Sequence, residues 1–141
     1  MDFHGAKLAL LYEGKLLVYR RDDRDDIPFP GRWDFPGGGR KGLETPEQCV
    51  LRELHEEFSI SLSPNRLLYR RDYDRRDYVT PSRSALSCFF AACAVESEIE
   101  GIEFGNEGQY WKLMGIDEYL RNKEGVPNLQ MRLRDYLDSS D

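Results

Sequence analysis

The sequence predicts an α/β domain in which a mixed sheet lies between helices, and three observations predict it. Two short apolar runs near the N terminus, Lys7–Tyr12 and Lys15–Tyr19, are joined by Glu13-Gly14, a good hairpin turn. A mostly apolar run over Ser84–Val95, carrying Phe89 and Phe90, has the pattern of a strand buried on both faces. Helical stretches alternate with these strands: one opens at Thr45-Pro46, and Leu129, Leu133, Tyr136 and Leu137 have the spacing of a final amphipathic helix.

The elements follow in order. After the hairpin, Arg20 to Pro30 (RRDDRDDIPFP) is a charged, proline-containing loop, and Trp33-Asp34-Phe35 alternates into a brief strand that Pro36-Gly37-Gly38-Gly39 is expected to break. The first helix is expected to begin at Pro46. Thr45 can accept from the free amide of Gln48, the Gln48 side chain can reach back, and proline is pre-set for a first turn. Leu67–Tyr73 and Gln109–Met114 are further strand candidates, and Asp117–Leu120 a short helical turn. At 141 residues with no linker-like stretch, the expectation is one domain over 1–141.

Composition narrows the function. A formal net charge of −6 argues against a general binder of polymeric nucleic acid, which needs basic surface to neutralise phosphates. No apolar run is long enough to span a bilayer and no N-terminal signal is evident, so a cytoplasmic protein without a membrane partner is expected. Cys49, Cys88 and Cys93 are odd in number and lack metal-ligand spacing; Cys49 reads as a packing residue.

The chemistry is concentrated in PGGGRKGLETPEQCVLRELHEEFSI. Its skeleton is Gly38, five residues, Glu44, seven residues, Arg52-Glu53-Leu54, one residue, Glu56-Glu57, then Ile60. At roughly 100° per residue, Glu53, Glu56 and Glu57 fall within an arc of about 100°, while Val50, Leu51, Leu54 and Phe58 gather on a neighbouring stripe. Like charges at i,i+4 cost a few tenths of a kcal/mol in a plain helix. A hard divalent cation such as Mg²⁺ or Mn²⁺ removes that penalty, because it favours oxygen ligands. Glutamate-rich helix surfaces are often merely solvated, but eight fixed positions matching by chance has a probability of roughly one in a million.

These residues resemble the Nudix hydrolase family, MutT-like members in particular, whose box is G-x5-E-x7-R-E-U-x-E-E-x-G-U with U aliphatic. One position departs: Ser59 stands where the pattern has Gly, just after the helix, where a left-handed backbone costs a non-glycine residue roughly 1 kcal/mol. The resemblance implies an α/β/α sandwich and hydrolysis of a nucleoside diphosphate linked to another group, with Mg²⁺ or Mn²⁺ as cofactor. It implies metal binding by Glu53, Glu56 and Glu57, with the carbonyl of Gly37 or Gly38 as a further ligand. Arg52 and Glu44 then form a support around the carboxylates, and Glu107, in a Glu-Gly-Gln segment like that of MutT-like members, becomes a candidate metal ligand or base.

Substrate contacts are more open. Arg20-Arg21 resemble a basic pair that meets substrate in MutT-like enzymes, or are a solvated strand end. Phe35 and Trp33 flank the motif and line a base pocket or the core. Asn128 sits where MutT-like members read a purine edge, or is a helix cap. The Arg- and Tyr-rich segment 69–83 is either a substrate cap or a self-paired hairpin. The expected substrate is a small nucleotide, first a nucleoside triphosphate cleaved to monophosphate and pyrophosphate, in a monomer or homodimer. Dinucleoside polyphosphates, ADP-ribose, or a Nudix-fold sensor that binds without hydrolysis are the alternatives.

Overall fold

The computed structural model of the chain describes residues 2–74 and 86–139. The segment 75–83 and the first two residues of the strand expected from Ser84 lie outside the described residues. The N-terminal hairpin pairs β1 (Gly5–Tyr12) with β2 (Lys15–Arg20) in antiparallel register, Tyr12 opposite Lys15. Its two loop residues, Glu13 and Gly14, have φ of 50° and 75°, the doubly positive backbone that matches the twist of a two-residue hairpin.

Next come β3 (Trp33–Asp34), β4 (Gly37–Gly39), α1 (Pro46–Phe58), β5 (Tyr69–Asp74) and β6 (Leu86–Cys93), then α2 (Glu96–Glu100), β7 (Trp111–Gly115), α3 (Ile116–Arg121) and α4 (Pro127–Ser139). The sheet runs β3-β2-β1-β6-β5, with β4 on β1 and β7 on β2. It is mixed: β1 and β6 are parallel, and the other pairs are antiparallel.

Period-two alternation sorts the central strands onto two cores. Leu8, Leu10, Leu17, Cys88 and Phe90 pack with Val50, Leu54 and Phe58 of α1, while Ala9, Leu16, Val18, Phe89 and Ala91 pack with Tyr119, Leu129 and Leu133 of α3 and α4. Each Leu or Phe buried this way contributes about 1.5–3 kcal/mol. This is the expected mixed sheet between helices, with β6 buried on both faces.

The strand at Trp33 does break before Pro36, but the glycines that follow add an element the sequence did not announce: Gly37–Gly39 form β4, antiparallel to Gly5–Lys7. Side chains are excluded there, since a Cβ on Gly37 would collide with the Ala6 carbonyl and one on Gly5 would lie 2.5 Å from the Gly38 oxygen.

Candidate active site

α1 begins as its sequence dictates. Thr45 Oγ1 accepts from Gln48 N at 3.1 Å, the Gln48 side chain accepts from Thr45 N at 2.9 Å, and Pro46 fills the first turn. The helix ends at Ser59, in the left-handed region at φ 59°, with its amide donating to the His55 carbonyl. That geometry fixes the outward face of the last two turns, where the glutamates stand.

Arg52 is the hub of this face. Its Nε and Nη2 reach the two oxygens of Glu44 at 2.6 and 3.0 Å, and its Nη1 meets Glu53 Oε1 and Glu56 Oε1, each at 2.7 Å. Glu44 in turn accepts from the Lys41 amide at 2.8 Å, so a single guanidinium ties the loop after β4 to the helix. Glu57 is buried, and its Oε1 accepts from Gly37 N at 2.9 Å. Burial pushes its carboxyl up to about 8, against the Lys7 charge and the Gly37 bond, which pull it down. Cys49 is buried as expected of a packing residue, and burial raises its thiol to about 11.

The loop before β7 is stitched to the end of α1. Glu103 N donates to the Phe58 carbonyl at 3.1 Å, Gly105 N to the Glu57 carbonyl at 2.8 Å, and Ser59 Oγ to the Glu103 carbonyl at 3.2 Å. This delivers Glu107 to the glutamates: Lys41, Glu53, Glu56, Glu57, Gly105, Asn106 and Glu107 line one cavity of about 270 Å³.

The donor set suits a hard cation, being carboxylate oxygen throughout. A Cβ on Gly38 would strike the Glu53 carboxylate, so the glycine clears space for it. Among the described residues, however, no three such side chains converge closely enough to hold a metal ion, because Arg52 draws in Glu53 and Glu56 while Gly37 draws in Glu57. The carbonyls after Pro36 have partners within the chain: Gly37 O accepts from Lys7 Nζ (3.4 Å), Gly38 O from Cys49 Sγ (3.6 Å) and Gly39 O from Arg52 Nη2.

A second cavity, of about 200 Å³, opens on the α4 side of the sheet. Asp34 forms one wall. It is buried, and its Oδ2 accepts from Arg21 Nη1 at 2.7 Å, Lys7 Nζ at 2.9 Å and Tyr19 Oη at 3.1 Å. Burial alone would raise this carboxyl, but the Lys7 and Arg21 charges outweigh it and hold it below the usual carboxylate range. Asn128 lines the same cavity from the first turn of α4, where it follows Pro127 inside the helix, together with Arg132 and Phe29. A third cavity, lined by Tyr19, Arg21, Asp22, Arg24, Ile27, Glu107 and Gly108, shares Glu107 with the first and Arg21 with the second.

The basic pair is thus divided. Arg21, just past the end of β2, lines the second cavity, while Arg20, its last residue, pairs with Glu124 at 2.7 Å and lies over the Trp33 ring. Phe35 corrects one expectation: it is fully buried between Phe89 and Tyr119, a core ring with no face toward either cavity. Trp33 is likewise nearly buried. Two residues that line the second cavity, Asp34 and Phe29, were not singled out as site candidates from the sequence. The signals were present, an acid inside an apolar strand triplet and a lone aromatic between two prolines in a charged loop.

The model of the NUDIX domain matches residues 2–134. The chain belongs to the Nudix family.

Within the family, the chain is 32% identical over 92 residues to an 8-oxo-dGTP diphosphatase of Escherichia coli (strain K12), covering 65% of this chain and 67% of that protein. It is 39% identical over 69 residues to an 8-oxo-dGTP diphosphatase of Proteus vulgaris, which covers 49% of this chain and spans only 57% of the relative's length. The crystal structure of a MutT protein from Methanosarcina mazei Go1 superposes with a TM-score of 0.77 over 99% of this chain and 96% of that one; at 16% identity the likeness is one of fold. The motif that defines this Nudix chain therefore lies where the geometry gathers its carboxylates, on the last turns of α1. No helix among the described residues is long and apolar enough to cross a membrane.

Proposed function

We propose that this chain is a divalent-cation-dependent pyrophosphohydrolase that acts as one domain over 1–141 on nucleoside triphosphates, releasing the monophosphate and pyrophosphate. The observation that carries the reading is the gathering of Glu53, Glu56, Glu57 and Glu107 around one cavity; a neighbouring cavity shares Glu107 with it and shares Arg21 with the cavity that Asn128 lines. The similarity to two 8-oxo-dGTP diphosphatases supports the choice of a triphosphate over a dinucleoside polyphosphate or ADP-ribose.

Glu53, Glu56 and Glu57 hold Mg²⁺ or Mn²⁺ in this reading, with Glu107 beside them. A bound cation of this kind offsets phosphate charge and makes water a stronger acid. The chain's own residues do the rest. Glu107, exposed at the cavity mouth, takes the proton of the attacking water. Arg52 and Glu44 position the carboxylates, Arg21 faces the phosphate chain, and Asn128 faces the base. Phosphoryl transfer asks mainly for such positioning and electrostatics. The setting is the cytoplasm, and the protein works as a monomer or homodimer.

A second reading, a nucleotide sensor without turnover, is favoured by one observation, the capture of Glu53 and Glu56 by Arg52. Release of phosphate and pyrophosphate over a panel of normal and oxidised nucleoside triphosphates, dinucleoside polyphosphates and ADP-ribose, with Mg²⁺ or Mn²⁺, separates the two. Turnover that disappears in Glu56→Gln and Glu57→Gln supports the hydrolase. Cation-dependent nucleotide binding without turnover supports the sensor.

A further inference from the structure

The loop between β2 and β3 contains a strained residue at the mouth of the second cavity. Phe29 has φ 50°, a left-handed backbone that side chains with a Cβ rarely adopt, and its neighbour Gly31 has φ 68°. The surroundings hold it there: Arg21 Nε donates to the Pro28 carbonyl at 2.9 Å, Gly31 N to the Asp22 carbonyl at 3.1 Å, and Arg32 N to the Phe29 carbonyl at 3.3 Å. Backbone strain that a structure over-determines in this way gathers at binding sites.

What the strain achieves is placement of a ring. Phe29 is 39% exposed and lines the cavity that Asn128 and Arg132 line from α4. Aromatics such as Phe35, Tyr69, Tyr110 and Tyr119 lie against other rings, whereas among the described residues no ring or cation is stacked on Phe29. Arg21, which pins Pro28, also ends on Asp34 in the same cavity, so the ring and the polar wall are held by one side chain.

We propose that Phe29 is the stacking face for a nucleobase bound in this cavity, opposite the polar edge that Asn128 presents. The proposal rests on the nucleotide reading above for the class of ligand, but not on hydrolysis. A cavity with one aromatic wall and polar donors on another fits a flat heteroaromatic ring, stacked on one side and hydrogen-bonded at its edge.

The test is direct binding of dGMP, dAMP, dCMP and TMP, with deoxyribose 5-phosphate as the base-free ligand, to the full chain and to Phe29→Gly and Phe29→Trp. Glycine suits a left-handed φ, so Phe29→Gly keeps the loop and its thermal midpoint does not fall. Wild-type protein is expected to bind at least one nucleotide at least tenfold more tightly than deoxyribose 5-phosphate. Phe29→Gly is expected to lose about tenfold to a hundredfold of that affinity, and Phe29→Trp to keep it. Unchanged nucleotide affinity in Phe29→Gly, or a wild-type protein that binds the base-free phosphate equally well, overturns the proposal. Base-dependent binding without turnover on any substrate leaves Phe29 in this role and removes the hydrolase instead.

Discussion

Arg52 grips Glu44 through two nearly parallel bonds, Nε to Oε2 at 2.6 Å and Nη2 to Oε1 at 3.0 Å, and spends its remaining nitrogen on Glu53 and Glu56. A lysine cannot reproduce that fork. Arg52→Lys and Glu44→Gln are therefore each expected to lower activity about 10–100-fold and to raise the Mg²⁺ concentration giving half-maximal rate. Titrating the rate with Mg²⁺ checks both effects; a variant with lower rate and unchanged cation dependence would show that Arg52 does not organise the carboxylates.

Divalent cation is expected to stabilise the fold. At a concentration about 100 times its Kd, a cation bound only by the native state adds about 2.7 kcal/mol. The thermal midpoint of the wild-type protein should rise on adding Mg²⁺ or Mn²⁺, and fall back with a chelator. Glu53→Gln and Glu57→Gln should lose most of this rise. In the absence of cation, Glu57→Gln should be about as stable as wild type near neutral pH, because the amide keeps an acceptor for Gly37 N and replaces a carboxyl that burial, pushing it up to about 8, already favours in its neutral form.

Asp34 should make the fold acid-sensitive. Its carboxyl lies below the usual range in the folded chain, so the unfolded chain binds more protons at low pH. Its contribution is fully present above the unfolded value of about 3.9 and is lost as pH falls from there through the lower folded value. Urea midpoints should drop steeply below about pH 4. Asp34→Asn should cost about 3 kcal/mol at neutral pH by stranding Lys7 and Arg21, and should flatten that acid dependence.

Ser59 occupies a left-handed position at φ 59°. Ser59→Gly is expected to stabilise the protein by about 0.5–1 kcal/mol, less the exposed bond from Ser59 Oγ to the Glu103 carbonyl. A guanidinium denaturation midpoint that falls instead would mean that this bond, and the loop it anchors, matter more than the backbone strain.

How much was legible follows from how local each signal is. The Glu13-Gly14 hairpin and the Thr45/Gln48 cap are written within a few residues, and both form as read. The buried β6 announces itself by composition. β4 could not be read, since three glycines carry no side-chain pattern and become a strand only because β1 offers an edge. The five-residue α2 is too short for periodicity. At the site, the motif grouped Glu44, Arg52, Glu53 and Glu56, but partner choice across distance was hidden. Nothing near Arg20-Arg21 says that one of them turns to Asp34 and the other to Glu124, and nothing near Phe35 says that Phe89 and Tyr119 enclose it.

Gly38 of β4 lines the second cavity on one side and stands against Glu53 on the other. On the nucleotide reading proposed above, this short strand, rising about 3.3 Å per residue, stands between a base in the second cavity and the carboxylate of Glu53. One residue added or removed would shift the register on β1 and turn each following position to the opposite face. On that reading the spacing between the two sites belongs to the backbone register of three glycines on β1, so side-chain substitutions around the cavities are expected to retune affinity without altering it.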